Sequence, residues 1–89
     1  MAEKILLVDD DVELVEMIRE YLVQEGFDVT MVHDGESGVA QALGGTYAIA
    51  VVDVMMPGIS GIEVLRRIRQ SSAMPVIMLT ARGDDTDRI

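Results

Sequence analysis

Lys4-Ile5-Leu6-Leu7-Val8-Asp9-Asp10-Asp11 is the stretch on which the reading of this chain turns. A short apolar run that ends abruptly in acid reads as a strand covered on both faces, its end reaching solvent. The pattern recurs in Ala48-Ile49-Ala50-Val51-Val52, which runs into Asp53. If the two strands are parallel neighbours, Asp9, Asp10 and Asp53 gather at one edge of the sheet. Three carboxylates so placed repel one another unless a cation sits among them. The pattern points to a bound metal, and to a carboxylate available for covalent chemistry.

Between and beyond these strands the sequence alternates. Asp11 is placed to cap a helix in which Leu14, Val15, Ile18, Tyr21 and Leu22 recur at helical spacing, and Gly26 supplies a left-handed stop. Phe27, Val29 and Met31 alternate as a second strand, followed by the turn His33-Asp34-Gly35. A weaker helix covers Glu36 to Leu43, with Val39, Ala40 and Leu43 as its apolar side. After the third strand and its loop, Ser60 and Glu63 fit a capping box for a helix running to about Gln70. Ile62, Leu65 and Ile68 form its expected buried stripe, with Arg66, Arg67 and Arg69 on the wetter side. Pro75 opens a fourth strand, Val76 to Leu79, which ends at Thr80. Gly83-Asp84-Asp85 leads toward a further helix. The order βαβαβαβ implies a parallel sheet with helices on both faces, and ligands of such sheets bind beyond the carboxyl ends of the strands.

The bulk numbers agree with one small domain. There are 89 residues, almost half of them hydrophobic, enough for a modest core. The formal net charge of −9 argues against direct binding of nucleic acid or an anionic membrane. The absence of cysteine excludes disulfides and cysteine-based zinc sites. Charges interrupt every apolar run well short of membrane-spanning length, and no signal-like segment opens the chain, so a cytoplasmic location is expected.

The acids suit one chemistry in particular. Magnesium takes hard oxygen ligands and commonly only one or two carboxylates, keeping several waters. Asp10 and Asp53 are placed to bind it directly, and Asp9 through water. Asp53 is also suited to attack a phosphoryl group and become an aspartyl phosphate. A divalent cation would relieve the repulsion between the two anions. The Thr80 hydroxyl, one strand over, is placed to donate to a phosphoryl oxygen.

These segments carry a resemblance. Lys4 to Asp11, then Val52-Asp53-Val54-Met55-Met56-Pro57-Gly58-Ile59-Ser60-Gly61, then Pro75-Val76-Ile77-Met78-Leu79-Thr80-Ala81 resemble the receiver domain of bacterial two-component response regulators, and most closely receivers of the OmpR type. The resemblance implies an α/β, flavodoxin-like (CheY-like) parallel sheet of order 2-1-3-4. It implies that Asp53 is the phosphoacceptor. Asp9, Asp10, Asp53 and the backbone carbonyl of Met55 would then hold Mg2+, and Thr80 would be the switch hydroxyl. The implied partner is a sensor histidine kinase, and the implied process is phosphorelay signalling that regulates transcription. Receivers also catalyse their own phosphorylation and dephosphorylation.

The resemblance has a boundary. A complete receiver continues to a fifth strand, whose terminal lysine pairs with the phosphoryl group, and to a fifth helix. Lys4, the only lysine here, begins the first strand and cannot take that role. Residues 1–89 therefore read as the N-terminal part of a receiver domain without an effector domain. An uncovered fourth strand would be an apolar edge, for which a homodimer paired through that edge is one expected outcome. Two competing functions follow. One is a truncated, non-switching module that binds metal or associates with itself. The other, a flavodoxin-type nucleotide enzyme, is disfavoured because no Gly-x-Gly-x-x-Gly follows the first strand. His33 reads as a surface turn residue.

Overall fold

The computed structural model describes residues 2–79. Its elements follow in the order β1 (Lys4–Val8), α1 (Val12–Gln24), β2 (Asp28–Val32), α2 (Gly35–Gly44), β3 (Ile49–Asp53), α3 (Gly61–Arg69) and β4 (Val76–Leu79). The strands form one parallel sheet in the order β2-β1-β3-β4. The expected order 2-1-3-4 is therefore observed. The chain winds outward from β1 to β2 in one direction and from β3 to β4 in the other. The switch in winding falls between β1 and β3, where open α/β sheets bind their ligands.

Strand periodicity sorts the core into two layers. Leu6, Val8, Ala50 and Val52 face one side and pack with Ala42 of α2 and with Val64 and Ile68 of α3. Ile5 and Leu7 face the other side and pack with Val15 of α1, flanked by Ile18, Leu22, Ile49 and Val51. Burial on both faces is why β1 contains no polar residue beyond Lys4. The same alternation carries forward: Asp9 lies two residues after Leu7 and Asp53 two after Val51. Both carboxylates thus leave the sheet on the α1 side.

The helix ends follow local chemistry. Asp11 has extended backbone and its side chain accepts the Leu14 N–H at 3.1 Å, capping α1. Gly26, with φ of 98°, turns the chain out of α1 in the left-handed region. Asp34 caps α2 in the same way through the Ser37 N–H, so this helix begins at Gly35, one residue before the expected start.

Three expected helix faces need correction. In α1, Tyr21 points outward and is 64% exposed. In α2, Gly35, Gly38 and Ala42 are buried and Val39 packs against the core as expected, while Ala40 and Leu43 are exposed. Gly38 sits against Val8, and an added Cβ would stand 2.8 Å from Val8 Cγ1. Close approach of helix to strand, and not side-chain bulk, sets the orientation of α2. In α3, Val64 and Ile68 are buried, whereas Ile62 is 58% exposed. The capping box is half made. Ser60 accepts the Glu63 N–H at 3.3 Å, but the Glu63 carboxylate turns to Arg66 and Arg67, at 2.6 and 2.8 Å. Arg66 and Arg67 lie on the wetter side as expected, and there they pair with Glu63.

Among the described residues, β4 is hydrogen-bonded to β3 alone, and Ile77 is half exposed there. No helix of the described residues is long and apolar enough to cross a membrane. The expected loop and helix after Ala81 lie outside the described residues.

Candidate functional site

Register brings the acids together. Val8 pairs with Val52 across β1 and β3, so the next residues, Asp9 and Asp53, face each other at the same edge. Asp10 completes the group. Asp9, Asp10 and Asp53 each offer a carboxylate oxygen, and these oxygens lie within 4.8 Å of one another. Asp9 and Asp53 are 6% and 8% exposed, and Asp10 is exposed. They line an open cleft of about 540 Å³ with Asp11, Leu14 and Ile18 on one side and Leu79 on the other. Polar acids meet an apolar wall, which lowers the local dielectric.

Backbone amides orient two of the three carboxylates. Asp9 Oδ1 accepts the Asp11 N–H at 2.9 Å, and Asp53 Oδ1 accepts the Met55 N–H at 3.2 Å. Each is a short Asx-type turn that turns the carboxylate back over its own loop. Gly61 lies so close to the end of β3 that any Cβ would meet the Asp53 carbonyl. Its N–H donates to the Val54 carbonyl at 2.9 Å. The start of α3 thereby braces the strand end that carries Asp53.

Burial pushes the Asp53 carboxyl up from its ordinary value, and the negative charges of Asp9 and Asp10 push the same way. The Met55 N–H opposes them. Two nearly buried carboxylates and an exposed third, with no basic side chain lining the cleft among the described residues, form a donor set suited to a hard divalent cation. Oxygens that share one magnesium at about 2.1 Å stand roughly 3–4 Å apart. The oxygens of the cluster, within 4.8 Å of one another, lie close to that spacing.

Of the residues expected at the site, Asp9, Asp10 and Asp53 are brought together. Met55 lies two residues after Asp53, its side chain exposed and its N–H on the Asp53 carboxylate. Thr80 lies outside the described residues. Val54 N–H donates to Leu79 O at 3.0 Å, so the chain leading to Thr80 runs beside Asp53 up to Leu79. His33 is more than a turn residue: its ring nitrogen Nδ1 is 3.1 Å from the Asp9 carbonyl. Nothing in the spacing of His33 signals that contact, which depends on β2 lying beside β1.

Comparison with known proteins places this geometry. A family profile described as the response regulator receiver domain matches residues 5–89. The transcriptional regulatory protein CpxR homolog of Haemophilus influenzae is 50% identical over 86 residues, covering 97% of this chain and 37% of that protein. The chain thus spans little more than a third of the length of that curated relative. Among solved structures, the response regulator TrrA of Thermotoga maritima in complex with Mg2+-BeF superposes with a TM-score of 0.87 at 33% identity, covering 98% of this chain and 76% of that one. A second structure, the histidine kinase ThkA in complex with TrrA, matches with a TM-score of 0.83 at 36% identity, over 89% of this chain and 69% of that one.

Proposed function

The chain belongs to the response regulator receiver domain family, and on that premise we propose that Asp53 is the residue that takes the phosphoryl group, with Asp9 and Asp10 as its cation-binding partners. Phosphoacceptance in two-component signalling is the function of such a domain. The observation that carries the residue assignment is the convergence of three carboxylate oxygens at the switch between β1 and β3, with Asp53 nearly buried.

In the proposed step, an Asp53 carboxylate oxygen attacks phosphorus and forms a new O–P bond. The bond from phosphorus to the donor breaks, and the departing group keeps its electron pair. Attack requires the ionised carboxylate, which burial and the neighbouring acids disfavour. Mg2+ bound by Asp9, Asp10, Asp53 and the Met55 carbonyl would supply charge neutralisation and alignment of the phosphoryl oxygens. The Met55 N–H keeps the Asp53 carboxylate turned toward the loop. Leu14 and Ile18 on one side of the cleft and Leu79 on the other give it apolar walls. Thr80 is assigned the switch hydroxyl by its place one residue after β4.

The phosphoryl donor in this reading is the phosphohistidine of a sensor histidine kinase, in line with the kinase complex of TrrA. A cytoplasmic setting follows from that partnership. A second copy pairing along the free side of β4 is supported by its one-sided hydrogen bonding among the described residues.

The test is incubation with acetyl phosphate. The wild type is expected to be phosphorylated with Mg2+, and neither the chelated wild type nor Asp53→Asn is. Metal-independent labelling would remove the cation from the account, and labelling of Asp53→Asn would remove Asp53.

A further inference from the structure

His33 stands outside the acidic cluster yet is tied to its frame. Its Nδ1 lies 3.1 Å from the carbonyl oxygen of Asp9, a residue 24 positions away in sequence. A carbonyl oxygen only accepts, so Nδ1 carries the proton and donates it. The N–H of Asp9 in turn donates to the Val32 carbonyl at 3.1 Å. Both peptide groups flanking Asp9 are therefore held by two consecutive residues at the end of β2.

The second of those peptide groups matters most. The Asp9 carbonyl and the Asp10 N–H belong to one rigid plane. Holding the Asp9 carbonyl fixes ψ of Asp9, and through the planar peptide it fixes the position of the Asp10 Cα from which the carboxylate extends. The Asp9 and Asp53 carboxylates have their own amide donors, from Asp11 and Met55. Asp10 is exposed, and no hydrogen bond from the described residues holds its carboxylate. Its placement depends on the backbone that carries it.

We propose that His33 is a positioning residue for the cation site: by holding the Asp9–Asp10 peptide plane, it sets where Asp10 presents its carboxylate. The inference rests on reading the three acids as a Mg2+ site. His33 is not itself a ligand, since its ring faces a backbone carbonyl.

The experiment is a calorimetric titration of the 89-residue chain with MgCl2 at fixed pH, run beside thermal unfolding without metal. Groups that orient metal ligands from behind typically change affinity 10- to 100-fold when removed. His33 acts through a backbone plane, so His33→Ala is expected to weaken Mg2+ binding roughly threefold to tenfold. His33→Asn places an amide N–H close to where Nδ1–H stood and restores most of the affinity. His33→Gln reaches to the position of Nε2 and does not. His33 is exposed, so all three variants fold. A merely structural strap would lower the unfolding temperature and leave the affinity of the folded chain alone. Unchanged affinity in His33→Ala, or equal affinity in the Asn and Gln variants, overturns the inference while leaving the cation site standing. A wild type that binds no Mg2+ overturns both.

Discussion

Asp53 is under tension that its surroundings create. Its carboxyl is raised above the ordinary carboxylate value, first by burial and then by Asp9 and Asp10. The folded chain therefore binds this proton more tightly than the unfolded chain does. The stabilisation is fully present below the ordinary value of 3.8 and is lost as pH rises through the raised folded value. At neutral pH without metal, the wild type carries the ionised group at a cost. Asp53→Asn should accordingly be the more stable protein in metal-free neutral buffer, the difference narrowing in acid and narrowing again when Mg2+ is added. Thermal unfolding across pH, with and without Mg2+, checks this. A variant less stable than wild type under metal-free neutral conditions would mean that the carboxylate is better satisfied than its neighbours suggest. The acids themselves were legible in the sequence because a strand end is a fixed place: the apolar run announces where it stops. His33 was not, because its partner is set by strand order and not by spacing.

Among the elements, β1 and β4 pair with β3 along its length, and α3 closes the end of β3 that carries Asp53. Gly61 meets the end of β3 with no room for a side chain, since a Cβ would collide with the Asp53 carbonyl. Gly61→Ala is expected to destabilise the fold by about 1–3 kcal/mol, the usual penalty for overpacking against backbone. It should also weaken Mg2+ binding, because the displaced atom belongs to Asp53. Chemical denaturation and metal titration of that variant read both effects. Ser60→Ala, which loses the cap on the Glu63 N–H, should cost about 1 kcal/mol without altering metal affinity. Glu63 responds to pH in the opposite direction from Asp53. Hydrogen bonds from Arg66 and then Arg67 hold its carboxyl down to about 2, so its contribution is present above the ordinary value of 4.5 and lost as pH falls toward 2. Glu63→Gln should flatten acid unfolding in that window, and added salt should shrink the difference, because the pair is exposed. The existence and order of the helices could be read from their caps, but their faces could not. Ile62 looked like a core residue by spacing, and Val64 took that place. Gly38 replaced Ala40 at the sheet because a glycine lets α2 approach Val8 more closely than any apolar side chain could.

At the scale of the whole molecule, the sheet order does the functional work. Placing β1 beside β3 turns two distant sequence segments into one acidic cluster, the proposed cation site, at the point where the winding reverses. The alternation of apolar runs with helical stretches made that order readable, since few arrangements cover both faces of four parallel strands. The large negative charge adds a global dependence: Mg2+ bound at the acidic edge as proposed would relieve repulsion locally, while monovalent salt only screens it. Millimolar Mg2+ should therefore raise the unfolding temperature more than the same ionic strength of NaCl, and Asp10→Asn should erase the difference. Equal effects of the two salts in the wild type would point to screening alone. Pairing of copies along β4 is tested by light scattering across a concentration series, where a mass that stays monomeric at the highest concentration contradicts it.

The most direct measurement is localisation of the phosphoryl group after reaction with acetyl phosphate and Mg2+. Intact-mass spectrometry followed by peptide mapping should find one phosphoryl group on the peptide that contains Asp53. The bond should be cleaved by hydroxylamine, as expected for an acyl phosphate. A phosphoryl group found on any other peptide, or a wild-type mass that never changes, would contradict the account.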